Sequence, residues 1–287
     1  MGAVRLLCLV ALVAGCRAPK PPSFVGGVPL PLTQSGRGTV FVPVVANGHP
    51  LRFVLDTGAT ITAVTPATAE LLGLHGEGNL LVNGTIPAQL TRIAALSVGT
   101  FQHANLRAAI VDLPEERRID EHFDGVLGLD VLTQYDVAVD IPRKRLVFYA
   151  AGELTHSDIV EDMIRVDFQK SQSGLVEFKV DFDERGAVPA YLDLGAQRTF
   201  TNPATANWLV GPGNGAPERK PRGLNLGEVR WDQFSVVVED LAIFAHWARY
   251  EDLAVIIGAD LFVDRALVLA YKDSALFVAR YSEERTR

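Results

Sequence analysis

The chain carries two copies of one pattern, and this repeat constrains the fold more than any other feature. The copies start at Leu55-Asp56-Thr57-Gly58-Ala59 and at Leu192-Asp193-Leu194-Gly195-Ala196. Further landmarks follow each Asp in the same order, most of them at the same spacing, which indicates a tandem duplication of a unit of roughly 110 residues. The paired landmarks are Pro66 and Pro203, Gly99 and Gly227, Asp112 and Asp240, Gly128-Leu129-Asp130 and Gly258-Ala259-Asp260, and Leu146 and Leu276.

Each copy has the residue pattern of short strands joined by turns. Asn47-Gly48 is a strong signal for a two-residue hairpin in the first copy. In the second copy, apolar and polar residues alternate from Val176 to Phe182, as in a half-buried strand. Thr65-Pro66 and Asn202-Pro203 are typical helix starts, with a capping residue before a Pro at the first helical position. The sequence therefore predicts an all-β fold with short helices.

The spacing of the landmarks divides the chain into five segments. Two similar lobes are predicted at residues 38–150 and 172–283, with a connector at 151–171 between them. Residues 1–15 are predicted to be a signal peptide and 16–37 a tether.

The N-terminal segment is typical of exported proteins. Arg5 precedes an apolar run, Leu6 to Val13, which is too short to span a bilayer. Val13-Ala14-Gly15-Cys16 resembles a bacterial lipobox, which implies cleavage before Cys16 and lipid attachment to its sulfur. The alternative is an ordinary signal peptide that happens to contain this Cys. The Pro-rich stretch after Cys16 suits a stiff polar tether.

Composition excludes several classes of function. The net charge of −7 leaves no basic surplus for a nucleic-acid partner. The only other Cys is Cys8, inside the predicted signal peptide, so no disulfide is expected. The six His residues form no metal-binding motif, and we expect neither a metal nor a cofactor.

The two motifs together resemble the retropepsin-like aspartic proteases. In that family an apolar strand runs into Asp-Thr/Ser-Gly-Ala, and an apolar pair later precedes Gly-x-Asp-x-Leu. Here Phe53-Val54-Leu55-Asp56-Thr57-Gly58-Ala59 and Val126-Leu127-Gly128-Leu129-Asp130-Val131-Leu132 match both motifs. The resemblance extends over roughly 38–150 and 172–280. It implies a bilobal aspartic-protease (acid protease) fold with two pseudo-symmetric β-barrel-like lobes, both contained in one chain as in pepsin-like enzymes.

The resemblance implies that Asp56 and Asp193 are the catalytic pair. Two carboxylates about 3 Å apart cannot both ionise, so they share a proton. One can then activate a water while the other protonates the scissile carbonyl. The resemblance assigns loop support to Thr57, Gly58 and Ala59, to Leu194 and Gly195, and to Gly128 and Gly258. Asp130 and Asp260 are interpreted as structural partners for helix-start amides.

The family also covers its cleft with a flexible hairpin. The candidate here is the stretch from Gly76 to Ile86, where Asn83-Gly84 is a favoured hairpin turn. An ordinary surface loop is the alternative. In the second copy the corresponding stretch, Gly211 to Gly223, contains three Pro residues and is predicted to be a loop.

Leu194 is the main departure from the family pattern. It replaces the hydroxyl residue seen at Thr57, so one cross-loop hydrogen bond should be missing, at a cost of roughly 1–3 kcal/mol if the buried partner stays unpaired. This would loosen the pair without abolishing it.

These observations favour a membrane-anchored aspartic endopeptidase. We expect it to be a monomer that hydrolyses peptides or exported proteins, is held to the membrane by lipid on Cys16, and lies in the bacterial envelope, on the periplasmic side of the outer membrane. Two alternatives remain: an inactive pseudo-protease that binds a peptide or envelope partner between the lobes, and a structural lipoprotein.

Overall fold

In the computed structural model, the first half of the chain is a succession of strands with short helices between them. The structure describes residues 22–35, 38–82, 86–112, 122–183, 185–211, 217–247 and 253–280. The elements of this half are β1 (Val28–Pro31), β2 (Thr33–Gln34), β3 (Val40–Ala46), β4 (His49–Leu55), β5 (Ala63–Val64), α1 (Pro66–Leu71), β6 (Gly78–Val82), β7 (Ile86–Val98), β8 (Phe101–Val111), β9 (Gly125–Leu127), α2 (Leu129–Leu132), β10 (Tyr135–Asp140) and β11 (Arg145–Ala150).

The second half repeats much of this order with shorter strands. Its elements are β12 (Ile164–Asp167), β13 (Gln169–Lys170), β14 (Val176–Phe182), β15 (Gly186–Leu192), β16 (Phe200–Thr201), α3 (Pro203–Val210), β17 (Glu218–Arg219), β18 (Leu224–Leu226), β19 (Val229–Trp231), β20 (Val236–Val238), α4 (Ala242–Trp247), β21 (Val255–Ile257), a 3₁₀ helix (Ala259–Phe262), β22 (Ala266–Ala270) and β23 (Ala275–Val278).

The strands form one sheet in each lobe and a third sheet that both lobes share. The N-terminal lobe has the order β2-β3-β4-β9-β5-β8-β7-β6, and the C-terminal lobe has β17-β20-β16-β21-β15-β14-β18-β19 with β13 on β14. The shared sheet has the order β1-β11-β10-β22-β23-β12, in which β10 and β22 join the two lobes antiparallel. The predicted all-β, bilobal acid-protease fold is confirmed.

The local signals in the sequence have direct counterparts in the structure. Asn47 and Gly48 form the turn between β3 and β4, and both have a positive φ, 46° and 84°. Such angles match the twist of a tight hairpin. Thr65 caps α1 by accepting a hydrogen bond from the Thr68 amide, and Asn202 caps α3 in the same way. Both predicted helix starts are confirmed.

The lobes share one continuous apolar core. Its largest fully buried side chains come from all three sheets and from the 3₁₀ helix, among them Phe53, Phe148, Phe182 and Phe262. Leu55, Leu192 and Leu194, which border the two Asp residues, belong to the same core. The Asp loops are therefore rooted in the best-packed part of the molecule.

The predicted tether and connector are only partly outside the folded structure. Within residues 16–37, β1 pairs with β11, and the Phe24 side chain is 4% exposed among Tyr149, Met163 and Phe277. Within the connector, β12 pairs with β23 in the shared sheet. The shared sheet therefore includes strands from the predicted tether and from the predicted connector, both of which lie outside the repeated units.

Other predictions fall on residues outside the described ranges. These are the signal peptide at 1–15, the lipidation residue Cys16, and Asn83 and Gly84 at the tip of the candidate flap. Among the described helices, none has the length and apolar composition needed to cross a bilayer.

The burial of Phe24 gives a test of this N-terminal packing. Phe24→Ala should lower the free energy of unfolding by about 3–5 kcal/mol, the usual cost of deleting a buried aromatic side chain. Urea unfolding of the full chain would measure it. Val25→Ala is the control, because Val25 is 64% exposed and its truncation should change little. A loss below about 1 kcal/mol for Phe24→Ala would show that this segment does not pack on the lobes.

Candidate active site

The two Asp loops meet face to face, with each Asp against the glycine of the opposite loop. A Cβ atom placed on Gly58 would lie 2.6 Å from the carboxyl carbon of Asp193. One placed on Gly195 would lie 2.7 Å from the carboxyl carbon of Asp56. Carbon atoms cannot approach so closely, so any larger residue at either position would push the carboxyl groups apart. The glycines are required for this close approach.

The two carboxyl groups have matching hydrogen bonds within their own loops. Oδ1 of Asp56 accepts hydrogen bonds from the amides of Gly58 (2.8 Å) and Ala59 (2.9 Å). Oδ1 of Asp193 accepts them from the amides of Gly195 (2.9 Å) and Ala196 (3.0 Å). The other carboxyl oxygens are left for contacts across the interface, where Asp56 and Asp193 also form a side-chain hydrogen bond.

This hydrogen bond between carboxyl groups requires one proton, because two carboxylates are both acceptors. Burial raises the pKa of Asp193 above its ordinary value, whereas hydrogen bonds from the Ala196 and Gly195 amides and from Asp56 act to lower it. Burial prevails. The pair therefore keeps one proton at pH values where an isolated Asp would have lost it.

Each loop is held from behind by the strand that precedes the Gly-x-Asp motif. The Asp56 amide donates to the Leu127 carbonyl (3.1 Å), and the Asp193 amide donates to the Ile257 carbonyl (2.9 Å). These bonds continue the parallel pairing of β4 with β9 and of β15 with β21. The two lobes thus support their Asp loops with equivalent hydrogen bonds.

A second pair of supports was missed by the sequence reasoning. The Thr62 hydroxyl donates to Asp130 (2.7 Å), and the Thr199 hydroxyl donates to Asp260 (2.8 Å). The amides of both Thr residues donate to the same carboxyl groups. The signal was present, since a Thr stands six residues after each Asp.

Asp130 and Asp260 therefore have structural roles, but their main partners differ from the expected helix-start amides. Asp130 does accept from the Val131 amide (3.0 Å), yet Thr62 binds it with both amide and hydroxyl. Burial raises the pKa of both Asp130 and Asp260, and the hydrogen bonds from Thr62 and Thr199 oppose that rise. Their carboxyl groups connect the Gly-x-Asp motif to the end of each catalytic loop.

Gly128 and Gly258 allow this connection to be short. A Cβ atom on Gly128 would lie 2.7 Å from the backbone of Ile61, and one on Gly258 would overlap the carbonyl group of Arg198. The amides of both glycines also donate hydrogen bonds, to the hydroxyls of Thr62 and Thr199, both at 3.2 Å. The close packing expected under each loop is present in both lobes.

Thr57 and Leu194 meet at the contact between the loops. The Thr57 hydroxyl donates to the Leu192 carbonyl and accepts from the Leu194 amide, both at 2.9 Å. Leu194 has no hydroxyl, so it cannot form the equivalent hydrogen bonds to the first loop. Its side chain is only 1% exposed and packs in the continuous apolar core. The interlobe contact is therefore one-sided, with polar bonds from Thr57 and apolar packing from Leu194.

The hairpin of β6 and β7 packs against the same apolar cluster as residues that follow Asp56. Leu80, Val82 and Ile86 on one face of the hairpin pack in one apolar cluster with Ala59 and Ile61. Residues of the hairpin, Leu80 among them, also line a groove of about 750 Å³ whose lining includes neither Asp56 nor Asp193. In the C-terminal lobe, β17 and β20 pair where β7 and β8 pair in the first, but β17 has only two residues.

No metal site accompanies these groups within the described ranges, where no three His, Cys, Asp or Glu side chains are placed to hold an ion.

The one-sided contact at Thr57 can be tested by mutation. Thr57→Val keeps the volume but leaves the Leu194 amide and the Leu192 carbonyl without their partner. We expect it to lower the free energy of unfolding by about 2–5 kcal/mol, the cost of two unpaired buried groups. Thr57→Ser is the matched control, because it keeps the hydroxyl and should retain most of the stability. Equal stability of the two variants in urea unfolding would contradict this role.

Comparison with known families gives a match that covers the first lobe. The family model of aspartyl proteases matches residues 42–131. The matched range contains Asp56, Thr57 and Gly58, the hairpin and the first Gly-x-Asp motif. Over this range the chain is similar to aspartyl proteases, which supports an aspartic-protease type of function.

Proposed function

We propose that this protein is an aspartic endopeptidase in which Asp56 and Asp193 activate a water molecule against a peptide bond. The observation that carries the proposal is the hydrogen-bonded pair of carboxyl groups on two equivalent loops. Such a pair holds one proton and one negative charge, which are the acid and the base that hydrolysis requires.

The proposed reaction needs only these groups and a water. The ionised carboxylate removes a proton from the water as the water oxygen attacks the carbonyl carbon. The protonated carboxyl group donates its proton to the carbonyl oxygen, so the tetrahedral intermediate carries no net oxyanion. When the C–N bond breaks, the leaving nitrogen takes up the proton that the first carboxyl group gained from the water. One hydroxyl of the intermediate returns its proton to the other carboxylate as the C=O bond re-forms, so the pair again holds one proton and one negative charge.

An inactive, peptide-binding version of the fold is less well supported. Its main argument is Leu194, which removes one hydroxyl from the interlobe contact. However, Thr57 binds the second loop with two hydrogen bonds, and Leu194 fills its position in the core. Asp193 also keeps both loop amides as partners. The groups that hold the second Asp are therefore in place.

Mutation of the two Asp residues tests the proposal. The full chain should cleave a library of unstructured peptides at acidic to neutral pH, and pepstatin should inhibit the cleavage. Asp56→Asn and Asp193→Asn should each lower kcat/KM by at least about 10²-fold, because each removes half of the acid–base pair. Asp167→Asn, at an exposed Asp of the shared sheet, is the control. If the chain cleaves nothing, or if Asp56→Asn retains full activity, the endopeptidase proposal fails.

We further propose that the enzyme is a monomer anchored by lipid on Cys16 at the periplasmic side of the outer membrane, where it would meet exported proteins or peptides. The support is the lipobox-like sequence Val13-Ala14-Gly15-Cys16 after an apolar run. A single anchored chain suits the fold because both Asp residues come from one chain.

The lipid anchor has its own test. Expressed in a bacterium with labelled fatty acid, the wild-type chain should incorporate label and sediment with membranes. Cys16→Ser should lose both properties, because the sulfur that would carry the lipid is absent. Label retained in Cys16→Ser would contradict the anchor and leave the peptidase proposal untouched.

A further inference from the structure

The two sides of the Asp pair present different side chains at equivalent positions. Ile61 and Arg198 are each the fifth residue after an Asp of the pair. The backbone of each packs against the glycine of a Gly-x-Asp motif, and each precedes a Thr that binds the Asp of that motif. Ile61 and Arg198 therefore occupy matching places in the two lobes.

A peptide bound to the proposed peptidase must extend past both Ile61 and Arg198. Its scissile bond has to lie at the Asp56–Asp193 pair, where the two loops meet. Because the loops are pseudo-symmetric about that point, an extended peptide has one flank beside residues 59–61 and the other beside residues 196–198. The side chains on the two flanks of the bond then meet different surroundings.

The N-terminal side is apolar. Ile61 and Ala59 pack against the same buried apolar cluster as Leu80, Val82 and Ile86 of the β6–β7 hairpin. Burial of an aliphatic side chain against such a surface is favourable, at roughly 25 cal/mol per Å² of apolar area. This flank suits apolar residues of a substrate.

The C-terminal side is polar. Nη2 of Arg198 donates to Glu218 and to the Ser235 hydroxyl (2.9 Å), and Nε lies 3.5 Å from Asp260. Glu218 stands on β17 opposite Val237, as Leu90 of β7 stands opposite Ala109. A polar cluster thus occupies the place where the first lobe has its apolar hairpin.

Arg198 retains hydrogen-bonding capacity for a further partner. Its side chain is 42% exposed, and within the described part of the chain no acceptor binds Nη1. Two N–H groups on that nitrogen are then open to an acceptor from a substrate. Glu218 offsets the charge of Arg198. The preference for a substrate side chain should therefore depend on hydrogen-bonding geometry rather than on net electrostatic attraction.

We propose that Arg198 determines specificity, selecting substrates with a carboxamide or carboxylate side chain on the flank that lies over the C-terminal lobe. This inference rests on the proposed peptidase function. It predicts an asymmetric substrate, with apolar residues on one side of the scissile bond and a hydrogen-bond acceptor on the other.

The test uses a fluorescent peptide in which one residue on either flank is Leu, Gln, Glu or Lys. Binding to full-length Asp56→Asn is measured by anisotropy, and kcat/KM is measured with the unmodified chain. We expect Gln and Glu to bind about three- to tenfold more tightly than Leu and Lys, on one flank only, the range for an exposed charge-assisted hydrogen bond. The same preference on both flanks, or on neither, would overturn the proposal.

Three variants assign the effect to this cluster. Arg198→Leu should abolish the preference for Gln and Glu, whereas Arg165→Leu should preserve it. Arg165 is the matched control because its side chain is similarly exposed (44%) and also pairs with an Asp, but lies in the shared sheet. Glu218→Gln should increase the ratio of Glu to Gln binding by about threefold or more, since it removes the nearer of the two carboxylates, Glu218 and Asp260, that offset the Arg198 charge.

Melting curves would show whether each variant is folded. If Arg198→Leu is unfolded, the test rests on Glu218→Gln. An unchanged ratio of Glu to Gln binding in that variant overturns the proposal. Cleavage without flank preference contradicts the role of Arg198 alone. Flank preference in binding without any cleavage contradicts the peptidase function and leaves the role of Arg198 standing.

Discussion

The contact between each Asp and the glycine of the opposite loop is the constraint on which the rest of the structure depends. Two carboxyl groups come together only if nothing larger than hydrogen stands at Gly58 and Gly195. Bringing two acidic groups out of water is costly, and a shared proton lowers that cost by removing one charge. The remaining free energy must come from the continuous core beneath the loops, to which Leu192 and Leu194 belong.

The supports of the two loops are alike because the same residue types recur at the same spacing in both lobes. The Asp amides, the Thr62 and Thr199 hydroxyls, and the glycines of the Gly-x-Asp motifs repeat the same hydrogen bonds in both lobes. The lobes differ at the interlobe contact and at the equivalent positions Ile61 and Arg198. At the interlobe contact, a hydroxyl residue in one copy faces a Leu in the other. Where the N-terminal lobe has Ile61 and the long β6–β7 hairpin, the C-terminal lobe has Arg198 and the two-residue strand β17.

The sequence predicted features that depend on local spacing. The loops, hairpins and helix caps followed from turn residues, Pro positions and registered repeats, because these act within a few residues of each other. The shared sheet was missed, since β1 and β12 lie outside the repeat and pair through contacts distant in sequence. Thr62 and Thr199 were overlooked, although both stand six residues after an Asp, because a lone Thr has no motif of its own. The Arg198 cluster depends on the pairing of β17 with β20, which local pattern does not reveal.

The central claim is that Asp56 and Asp193 hold one proton between them, and a titration of their carboxyl groups tests it most directly. Carbon-13 NMR of Asp-labelled protein, with Asp56→Asn and Asp193→Asn for assignment, would follow both groups with pH. We predict two separate steps, the second clearly above the ordinary Asp value of about 3.9, because loss of the shared proton would leave two adjacent buried charges. In either Asn variant the remaining Asp should titrate in a single step, because its carboxyl partner is gone. Two overlapping steps near the ordinary value, unchanged in the variants, would show that the carboxyl groups do not share a proton.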